Sequence, residues 1–91
     1  MSSCERVTII NRLGMHARPA MLLAEKAQQF KSEISIRRTD QTDTVDAKSI
    51  MQLMMLAATE GTELEIKASG PDAEASVQEL VNVVQTGFDD D

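Results

Sequence analysis

Apolar and polar residues alternate along several stretches of the chain, and this spacing predicts strands. Residues 5–11, 33–38 and 63–68 place apolar side chains at every second position, as in a strand with one buried face. Residues 43–47 follow a polar turn at 39–42 and are interpreted as a short partner strand. The alternation therefore predicts four strands, of which residues 63–68 have the most regular pattern.

Residues 17–30 form the clearest helical pattern. Their apolar side chains recur three and four positions apart and so share one face of a helix. Pro19 falls in the first turn, where a helix has no amide hydrogen bond to lose. The spacing predicts a helix whose buried face consists of Ala20, Leu23, Ala24, Ala27 and Phe30.

A second helix is indicated by its first residues. Ser49 and Gln52 have the spacing of a capping box, in which the Ser49 side chain accepts from the Gln52 amide and the Gln52 side chain reaches back. This helix is expected to stop before Gly61. Its predicted buried face holds Ile50, Leu53, Met54 and Ala57.

A third helix follows Gly70 and Pro71. Gly87 suits the left-handed position just after a helix end, and Phe88 is expected to fold back against the last turn. The acidic tail at 89–91 is expected to be solvated. The predicted buried stripe of this helix consists of Val77, Leu80, Val81 and Val84.

The order of these elements predicts an α+β fold. Strand, helix, two strands, helix, strand and helix follow one another, so that three helices cover one face of a small, four-stranded, mainly antiparallel sheet. A chain of 91 residues buries only roughly 60–65% of its unfolded surface, too little for two cores. Residues 1–91 are therefore expected to form a single domain.

Composition narrows the classes of function. A net charge of −6 repels nucleic acid and anionic membranes, and without Trp or Tyr there is little to stack on bases. Cys4 is the only cysteine, so the chain has no intramolecular disulfide and no zinc pattern. It also contains no apolar run near the about 18 residues of a membrane span and no secretion signal. We expect a cytoplasmic protein without a metal, a cofactor, a nucleic-acid partner or a membrane partner.

His16 is the only histidine, and it falls where the first strand passes into the first helix. The first amides of a helix favour an anion by about 0.3–1 kcal/mol. A neutral imidazole is nucleophilic near neutral pH and becomes a good leaving group once phosphorylated. Because the chain offers His16 no second histidine and no grouped carboxylates, hydrolysis lacks a base and an orienting group. The residues predict a site that accepts and releases a phosphoryl group, and the alternative role of His16 is a helix cap or a solvated residue.

Arg18 lies two residues beyond His16 and carries a planar guanidinium that can bind two phosphate oxygens. A cation in the first turn of a helix is slightly unfavourable unless an anion offsets it. This local conflict indicates function, whereas the structural alternative is an exposed first-turn residue.

The helix after Ser49 is more apolar than one buried face requires, since Met51 and Met55 lie outside that face. Two interpretations stay open. Methionine either fills a core, or it forms an exposed surface that adapts to several partners. Ser49 has a sufficient role as a cap, and a regulatory phosphorylation there is the alternative.

Two segments carry a family resemblance: GMHARPA, from Gly14 to Ala20, and AKSIMQLMML, from Ala47 to Leu56. Together with the order of elements they resemble the histidine-containing phosphocarrier HPr of the phosphoenolpyruvate-dependent phosphotransferase system, over nearly the whole chain. The resemblance implies an open-faced β-sandwich of order βαββαβα. It also implies that His16 is phosphorylated on Nδ1 by Enzyme I and passes the phosphoryl group to a IIA protein.

The same resemblance assigns roles to residues around His16. Arg18 is implied to stabilise the phosphate, and Ala17 and Pro19 to form its cradle at the helix start. Ser49 falls on the position that some Gram-positive relatives regulate with a serine kinase. The implied docking surface consists of Met21, Leu22, Glu25, Ile50, Met51 and Met54.

One departure indicates a branch of the family. Sugar-branch carriers place lysines along the first helix, whereas this chain has Glu25 and Gln28 there and keeps Lys26 one position away. With the GMHARPAM, LMML and GFDDD segments, it resembles the nitrogen-related branch, the NPr carriers, and the implied partners are a nitrogen-type Enzyme I and a nitrogen-type IIA protein. A sugar-branch HPr and a regulatory binding module acting through residues 49–57 are the alternatives. A carrier that presents one site to successive partners is expected to be a monomer.

Overall fold

The computed structural model describes residues 1–90, and for Asp89 and Asp90 it describes only the backbone. Four strands form one sheet in the order β1-β4-β2-β3, and each described neighbour pair is antiparallel. The strands are β1 (Ser2–Thr8), β2 (Glu33–Arg38), β3 (Thr44–Asp46) and β4 (Glu63–Ser69). The helices are α1 (Ala17–Gln28), α2 (Ile50–Met55), α3 (Ala73–Gln85) and the short α4 (Gly87–Asp90). The predicted α+β fold and its order of elements are confirmed, and α4 is an addition that the sequence pattern did not predict.

The core lies between one face of the sheet and the helices. Alternate side chains of a strand point to opposite faces, so the apolar positions of β2 and β4 meet the helices while their polar positions face outward. Burying one large aliphatic side chain contributes about 1.5–3 kcal/mol to folding. The fully buried side chains of this core include Ile36, Leu64 and Ile66 from the sheet and Leu23, Leu53 and Leu80 from the helices.

The outward face of the sheet carries charges that pair across strands. Glu65 of β4 lies opposite both Arg6 of β1 and Arg37 of β2. Its carboxylate lies 3.1 Å from Nη2 of Arg37 and 3.5 Å from Nε of Arg6. The Arg37 hydrogen bond is the main cause that holds the pKa of Glu65 below its ordinary value. Cross-strand charge pairs of this kind keep the open face polar while adding little to stability.

The first strand was predicted three residues too late. It covers 2–8 rather than 5–11, because β1 pairs with β4 from Ser2 to Thr8 and the chain then leaves the ladder. Ile9 still bonds the loop before β4, with its amide 2.9 Å from the Thr62 carbonyl and its own carbonyl accepting from Gly61 at 2.8 Å. The apolar alternation continued past Thr8 because burial continues there, although the strand does not.

Smaller boundary errors have local causes. The helix α1 ends at Gln28 rather than at residue 30, because the Phe30 amide donates to the carbonyl three residues back, that of Ala27, at 3.1 Å, and not to the one four residues back as in an α-helix. Phe30 itself is half-buried against the core. The strand β3 covers 44–46 rather than 43–47, and β4 extends one residue further, to Ser69.

The capping box of α2 is half right. The Ser49 hydroxyl accepts from the Gln52 amide at 3.2 Å, as predicted. The Gln52 side chain does not reach back to Ser49; its Oε1 accepts from the Asp46 amide at 2.9 Å. The Ser49 amide instead donates to the Asp46 carbonyl at 3.0 Å, so the capping network extends into β3.

The predicted buried face of α2 is wrong at three positions. Ile50, Met54 and Ala57 are exposed, and the side chains that enter the core are Leu53 and Leu56. The six-residue helix itself contributes only Leu53 to the core, and Leu56 follows at its C-cap. The remaining apolar side chains therefore face outward.

The end of α3 agrees with its sequence signals. Gly87 has φ +67°, the left-handed conformation predicted for it, and Phe88 is buried with 1% exposure. Val81 is half-buried, and the buried stripe also includes Ala73 and Ser76. The predicted solvation of 89–91 concerns Asp91 and the side chains of Asp89 and Asp90, which lie outside the described residues.

Asp72 joins the start of α3 to the segment after α1. Its carboxylate accepts from the Ser32 hydroxyl at 2.6 Å and from the amides of Lys31 and Ser32, each at 2.9 Å. These hydrogen bonds, the Ser32 hydroxyl first, lower the pKa of Asp72 to about 2. The folded protein therefore stabilises the ionised form of the Asp72 carboxylate.

Acid should weaken this link. Because the folded pKa of Asp72 is depressed, its stabilisation is present above the unfolded pKa near 3.8 and is lost as pH falls through about 2. We expect Asp72→Asn to lower the free energy of unfolding near neutral pH, and the difference from wild type to shrink as pH falls. Urea unfolding at a series of pH values measures this. Asp43→Asn, at the exposed residue directly before β3, is the control, and a difference for Asp72→Asn that stays constant down to about pH 2 would contradict the prediction.

Candidate functional site

His16 occupies the N-cap of α1, as the sequence predicted. Its backbone is extended, with φ −88° and ψ −169°, and its carbonyl accepts from the Ala20 amide at 3.1 Å. The side chain is half-buried. The imidazole thus lies beside the first turn of a twelve-residue helix, whose amides carry the positive end of the helix dipole.

The first turn of α1 holds the other residues predicted for the site. Ala17 and Arg18 are exposed, whereas Pro19 is buried and packs the turn onto the core. No acidic residue lies in this turn. Arg18 therefore places a cation at the end of the helix where a cation is disfavoured and an anion is favoured.

A tight turn leads into His16. The Gly14 amide donates to the Asn11 carbonyl at 3.2 Å, and Nδ2 of Asn11 donates back to the Gly14 carbonyl at 2.8 Å. The same carbonyl accepts from the His16 amide at 3.0 Å. The backbone before the imidazole is thus fixed by hydrogen bonds on both sides of Gly14.

The turn is also bonded to the loop that follows α2. The Met15 amide donates to the Ala58 carbonyl at 2.8 Å, and the Met15 side chain is buried. Gly14 has φ +70°, and a β-carbon there would contact the Ala58 carbonyl oxygen and lie 2.8 Å from the α-carbon of Thr59. Only glycine fits this approach, so two segments far apart in sequence meet at the site.

Large apolar side chains on α2 are exposed. We call Ile50, Met51, Met54 and Met55 the α2 patch. Met51 and Met55 are each 77% exposed, Met54 is 44% exposed and Ile50 is 38% exposed. Of the two interpretations left open by the sequence, the structure favours the exposed methionine surface over the core filler.

The docking residues predicted on α1 differ in exposure. The helices α1 and α2 pack against each other. Met21 and Glu25 are exposed, whereas Leu22 is half-buried and packs against the core. Leu22 therefore offers a partner less surface than the prediction assumed.

Two exposed apolar residues that were not predicted as site residues, Ile10 and Leu13, lie in the segment leading to His16. They are 54% and 61% exposed. Ile10 fell inside the predicted strand at 5–11, and Leu13 lies between that strand and Gly14. The sequence signal for their exposure was their place in a short segment that also contains the loop-forming or polar residues Asn11, Arg12 and Gly14.

Ser49 lies at the N-cap of α2, half-buried, with its hydroxyl engaged by the Gln52 amide. Adjacent bonds join this point to the end of α1: Nζ of Lys48 donates to the Phe30 carbonyl at 2.8 Å, and Nε2 of Gln28 donates to the Lys48 carbonyl at 3.1 Å. The structural role of Ser49 is therefore visible, and its regulatory role stays a prediction.

The described residues also bear on metal binding and on membrane insertion. Among the described side chains, those of residues 1–88, His, Cys, Asp and Glu form no group of three that could hold a metal ion. In the same part of the chain, every helix is too short or too polar to cross a membrane.

Known proteins share both the sequence and the fold. The family model described as PTS HPr component phosphorylation site matches residues 4–86. Over 91 residues and 100% of both chains, the protein is 38% identical to the phosphocarrier protein NPr of Escherichia coli (strain K12). Over 84 residues and 92% of both chains, it is 39% identical to the phosphocarrier protein HPr of Neisseria meningitidis serogroup B. The crystal structure of HPr-C-His from Thermoanaerobacter tengcongensis matches with a TM-score of 0.89 and 32% identity, covering 98% of both chains.

A four-stranded open-faced sheet under three helices, with a lone histidine at the first helix N-cap, is the architecture of a phosphocarrier. The chain belongs to the HPr family of the phosphotransferase system. Its relatives include both NPr and HPr carriers, at nearly equal identity.

The Gly14 approach can be tested against a matched glycine. Gly61 also has a positive φ, +90°, but a β-carbon there would meet no atom within 4 Å. Gly61→Ala should cost about 1–2 kcal/mol for its left-handed backbone alone. Gly14→Ala should cost a further roughly 1–3 kcal/mol because the Ala58 and Thr59 backbone must shift. Urea unfolding of both variants measures the difference, and equal losses would show that the close approach carries no constraint.

Proposed function

We propose that this protein accepts a phosphoryl group from Enzyme I on Nδ1 of His16 and donates it to a IIA protein. The observation that carries the proposal is the position of His16, the only histidine of the chain, half-buried at the N-cap of α1. In that position one nucleophilic nitrogen and the anion-binding end of a helix lie side by side. The protein then acts as a carrier, which is loaded and unloaded by other proteins in a cytoplasmic setting.

The transfer needs only groups that the site holds. With its proton on Nε2, the His16 imidazole attacks phosphorus through the Nδ1 lone pair; the new P–N bond forms as the bond to the donor breaks. The donor keeps the electron pair of the broken bond. Arg18 and the amides of the first turn balance the charge on the phosphoryl oxygens. In the second step the phosphoryl group moves to the acceptor and the imidazole leaves as a neutral group.

Ala17 and Pro19 shape the cradle for that anion. Ala17 is the first residue of α1, and its small side chain adds little bulk next to His16. Pro19 is buried and fixes the backbone of the first turn without needing an amide partner. The amides of Ala17 and Arg18 belong to the turn whose N–H groups have no intrahelical acceptor, so they can donate to phosphate.

Partners are proposed to dock on Met21, Leu22, Glu25, Ile50, Met51 and Met54. The exposed α2 patch supports this assignment, because exposed apolar patches mark interaction sites and flexible thioethers adapt to more than one partner. A carrier must present the same surface to a donor and then to an acceptor. We propose that it does so as a monomer.

The nitrogen-related branch is proposed from charge near the site. Glu25 is exposed on α1, and Nζ of Lys26 lies 3.4 Å from a Glu79 oxygen on α3, so this cation is partly neutralised. Identity alone favours neither branch, since NPr and HPr relatives match nearly equally. The weakly basic surface of α1 around Glu25 and Lys26 supports a nitrogen-type Enzyme I as donor and a nitrogen-type IIA protein as acceptor.

Incubation with phosphoenolpyruvate and nitrogen-type Enzyme I should give a phosphoryl adduct that acid removes. His16→Ala should abolish the adduct, because the chain has no other imidazole to carry it. Intact-mass analysis before and after acid treatment measures both properties. Ser49→Ala is the matched control and should keep the adduct. An adduct that persists on His16→Ala would overturn the carrier assignment.

The same assay tests the branch when the donor is exchanged. Transfer from nitrogen-type Enzyme I should be faster than transfer from sugar-type Enzyme I at equal concentrations. Equal rates would remove the branch assignment while leaving the carrier function intact.

A second candidate function is a regulatory module that controls other proteins by contact through residues 49–57. The exposed α2 patch favours it and is equally needed for phosphoryl transfer. The two differ in their dependence on His16: binding as a regulatory module persists in His16→Ala, whereas phosphoryl transfer does not.

A charge placed in the α2 patch should weaken docking. Met51→Asp and Met54→Asp should each raise the KM for transfer about tenfold, the effect of losing an important interface contact. Gln78→Asp places the same charge on the exposed side of α3 and should leave KM unchanged. Transfer kinetics at varied donor concentration measure this, and unchanged KM in both methionine variants would exclude the α2 patch as a docking surface.

A further inference from the structure

The guanidinium of Arg38, at the end of β2, bonds two structural elements at once. Nε and Nη2 donate to the two carboxylate oxygens of Asp40, at 3.1 and 3.0 Å. Nη1 donates to the carbonyls of Leu56 and Ala57, at 3.2 and 3.1 Å. This bidentate pair with a carboxylate orients the guanidinium, so that its third nitrogen, Nη1, points at the end of α2. The Arg38 side chain is only 20% exposed.

The backbone that Arg38 holds is in a conformation that alanine disfavours. Ala57 has φ +51°, in the left-handed region where a side chain is strained and where glycine is usual after a helix. The two carbonyls bonded by Arg38 lie on either side of this residue. The last turn of α2 contains no basic residue of its own, so Arg38 supplies both the hydrogen-bond donors and the charge that a helix C-terminus favours.

The next residue connects this turn to His16. Ala58 accepts the Met15 amide at 2.8 Å, and its backbone lies against Gly14. Met15 directly precedes His16 in the chain. The backbone that Arg38 fixes therefore continues directly into the residue that bonds the segment before His16. The same backbone is the end of the helix that carries the α2 patch.

We propose that Arg38, oriented by Asp40, is a positioning residue for phosphoryl transfer. It fixes the α2 patch relative to His16, so that a partner docked on the patch places its phosphoryl group in line with the imidazole. Arg38 acts through Ala57, Ala58 and Met15. This inference rests on the proposed function and deepens it by naming what sets the geometry of the docked complex.

Positioning has a distinct kinetic signature. The patch side chains remain when Arg38 is changed, so docking and KM should stay nearly constant. The rate within the docked complex should fall, because a small misplacement of reacting groups lowers the rate by about tenfold or more. An ordinary surface ion pair would leave both quantities unchanged.

The test compares Arg38→Met with Arg37→Met in transfer from phosphorylated Enzyme I at varied donor concentration. Arg37 is the matched control, because it bonds Glu65 and the 38–41 turn rather than α2. We expect Arg38→Met to lower kcat about tenfold with KM within about twofold, and Arg37→Met to keep wild-type kcat. Arg38→Lys keeps the charge but loses the bidentate pair with Asp40, and it should have an intermediate kcat. This variant also tests the inference if Arg38→Met fails to fold.

A rescue variant separates positioning from direct contact with the partner. Glycine adopts a left-handed backbone without side-chain strain, so Arg38→Met combined with Ala57→Gly should recover most of the lost kcat. Amide hydrogen exchange at Met15 should speed up in Arg38→Met and slow again in the double variant. Equal kcat in Arg38→Met and Arg37→Met, a loss confined to KM, or a failure of Ala57→Gly to rescue would each overturn the inference.

Failure of the proposed function would look different. If wild-type protein takes no phosphoryl group on His16, the carrier assignment falls and the transfer role of Arg38 falls with it. The exchange rates at Met15 then still decide whether Arg38 holds the backbone before His16, since they require no donor protein.

Discussion

Pairing between β1 and β4 is the constraint on which the site depends. The two strands match residue for residue from Ser2 with Ser69 to Thr8 with Glu63. A shift by one residue would turn Val7 and Leu64 outward, so burial of one face fixes the register. Past the end of the ladder, the Ile9 segment bonds the loop at 61–62, and the same alignment brings Gly14 against Ala58. Two loops that are far apart in sequence thus meet because the strands beside them are in register.

The two faces of the sheet have different roles. The outward face carries charge pairs such as Glu65 with Arg37, which keep it polar and add little to the free energy of unfolding. The other face holds α1 and α2 against one core, and these helices carry His16 and the α2 patch. Because one packed layer supports both helices, the chemical group and the exposed apolar surface have a fixed relation. A carrier needs little more than that relation, since its partners supply the rest of the chemistry.

Charge near His16 is organised locally against the charge of the whole chain. The net charge of −6 opposes an anionic phosphoryl group. The first turn of α1 reverses this over a short distance, with Arg18 and the amides of a helix start, which have no acceptor within the helix. Further along α1, Lys26 is paired with Glu79 and Glu25 is exposed, so the positive region is small. A small positive region suits the proposed binding of one phosphoryl group without making the surface generally attractive to anions.

The sequence by itself determined the order of the elements, the position of His16 at a helix start and the buried faces of α1 and α3, because these depend on spacing between near neighbours. Three of the four residues predicted for the buried face of α2 are exposed, since a six-residue helix offers too few positions for a period to show; the core takes Leu53, as predicted, and Leu56. The sequence pattern also misplaced the Gln52 side chain, whose partner Asp46 lies in β3. Only the tertiary structure decided that Gly14 touches Ala58 and that Arg38 bonds the end of α2, because these contacts join residues separated by many positions. Local patterns record which face of an element is buried, whereas a contact between loops exists only once the sheet register has brought the loops together.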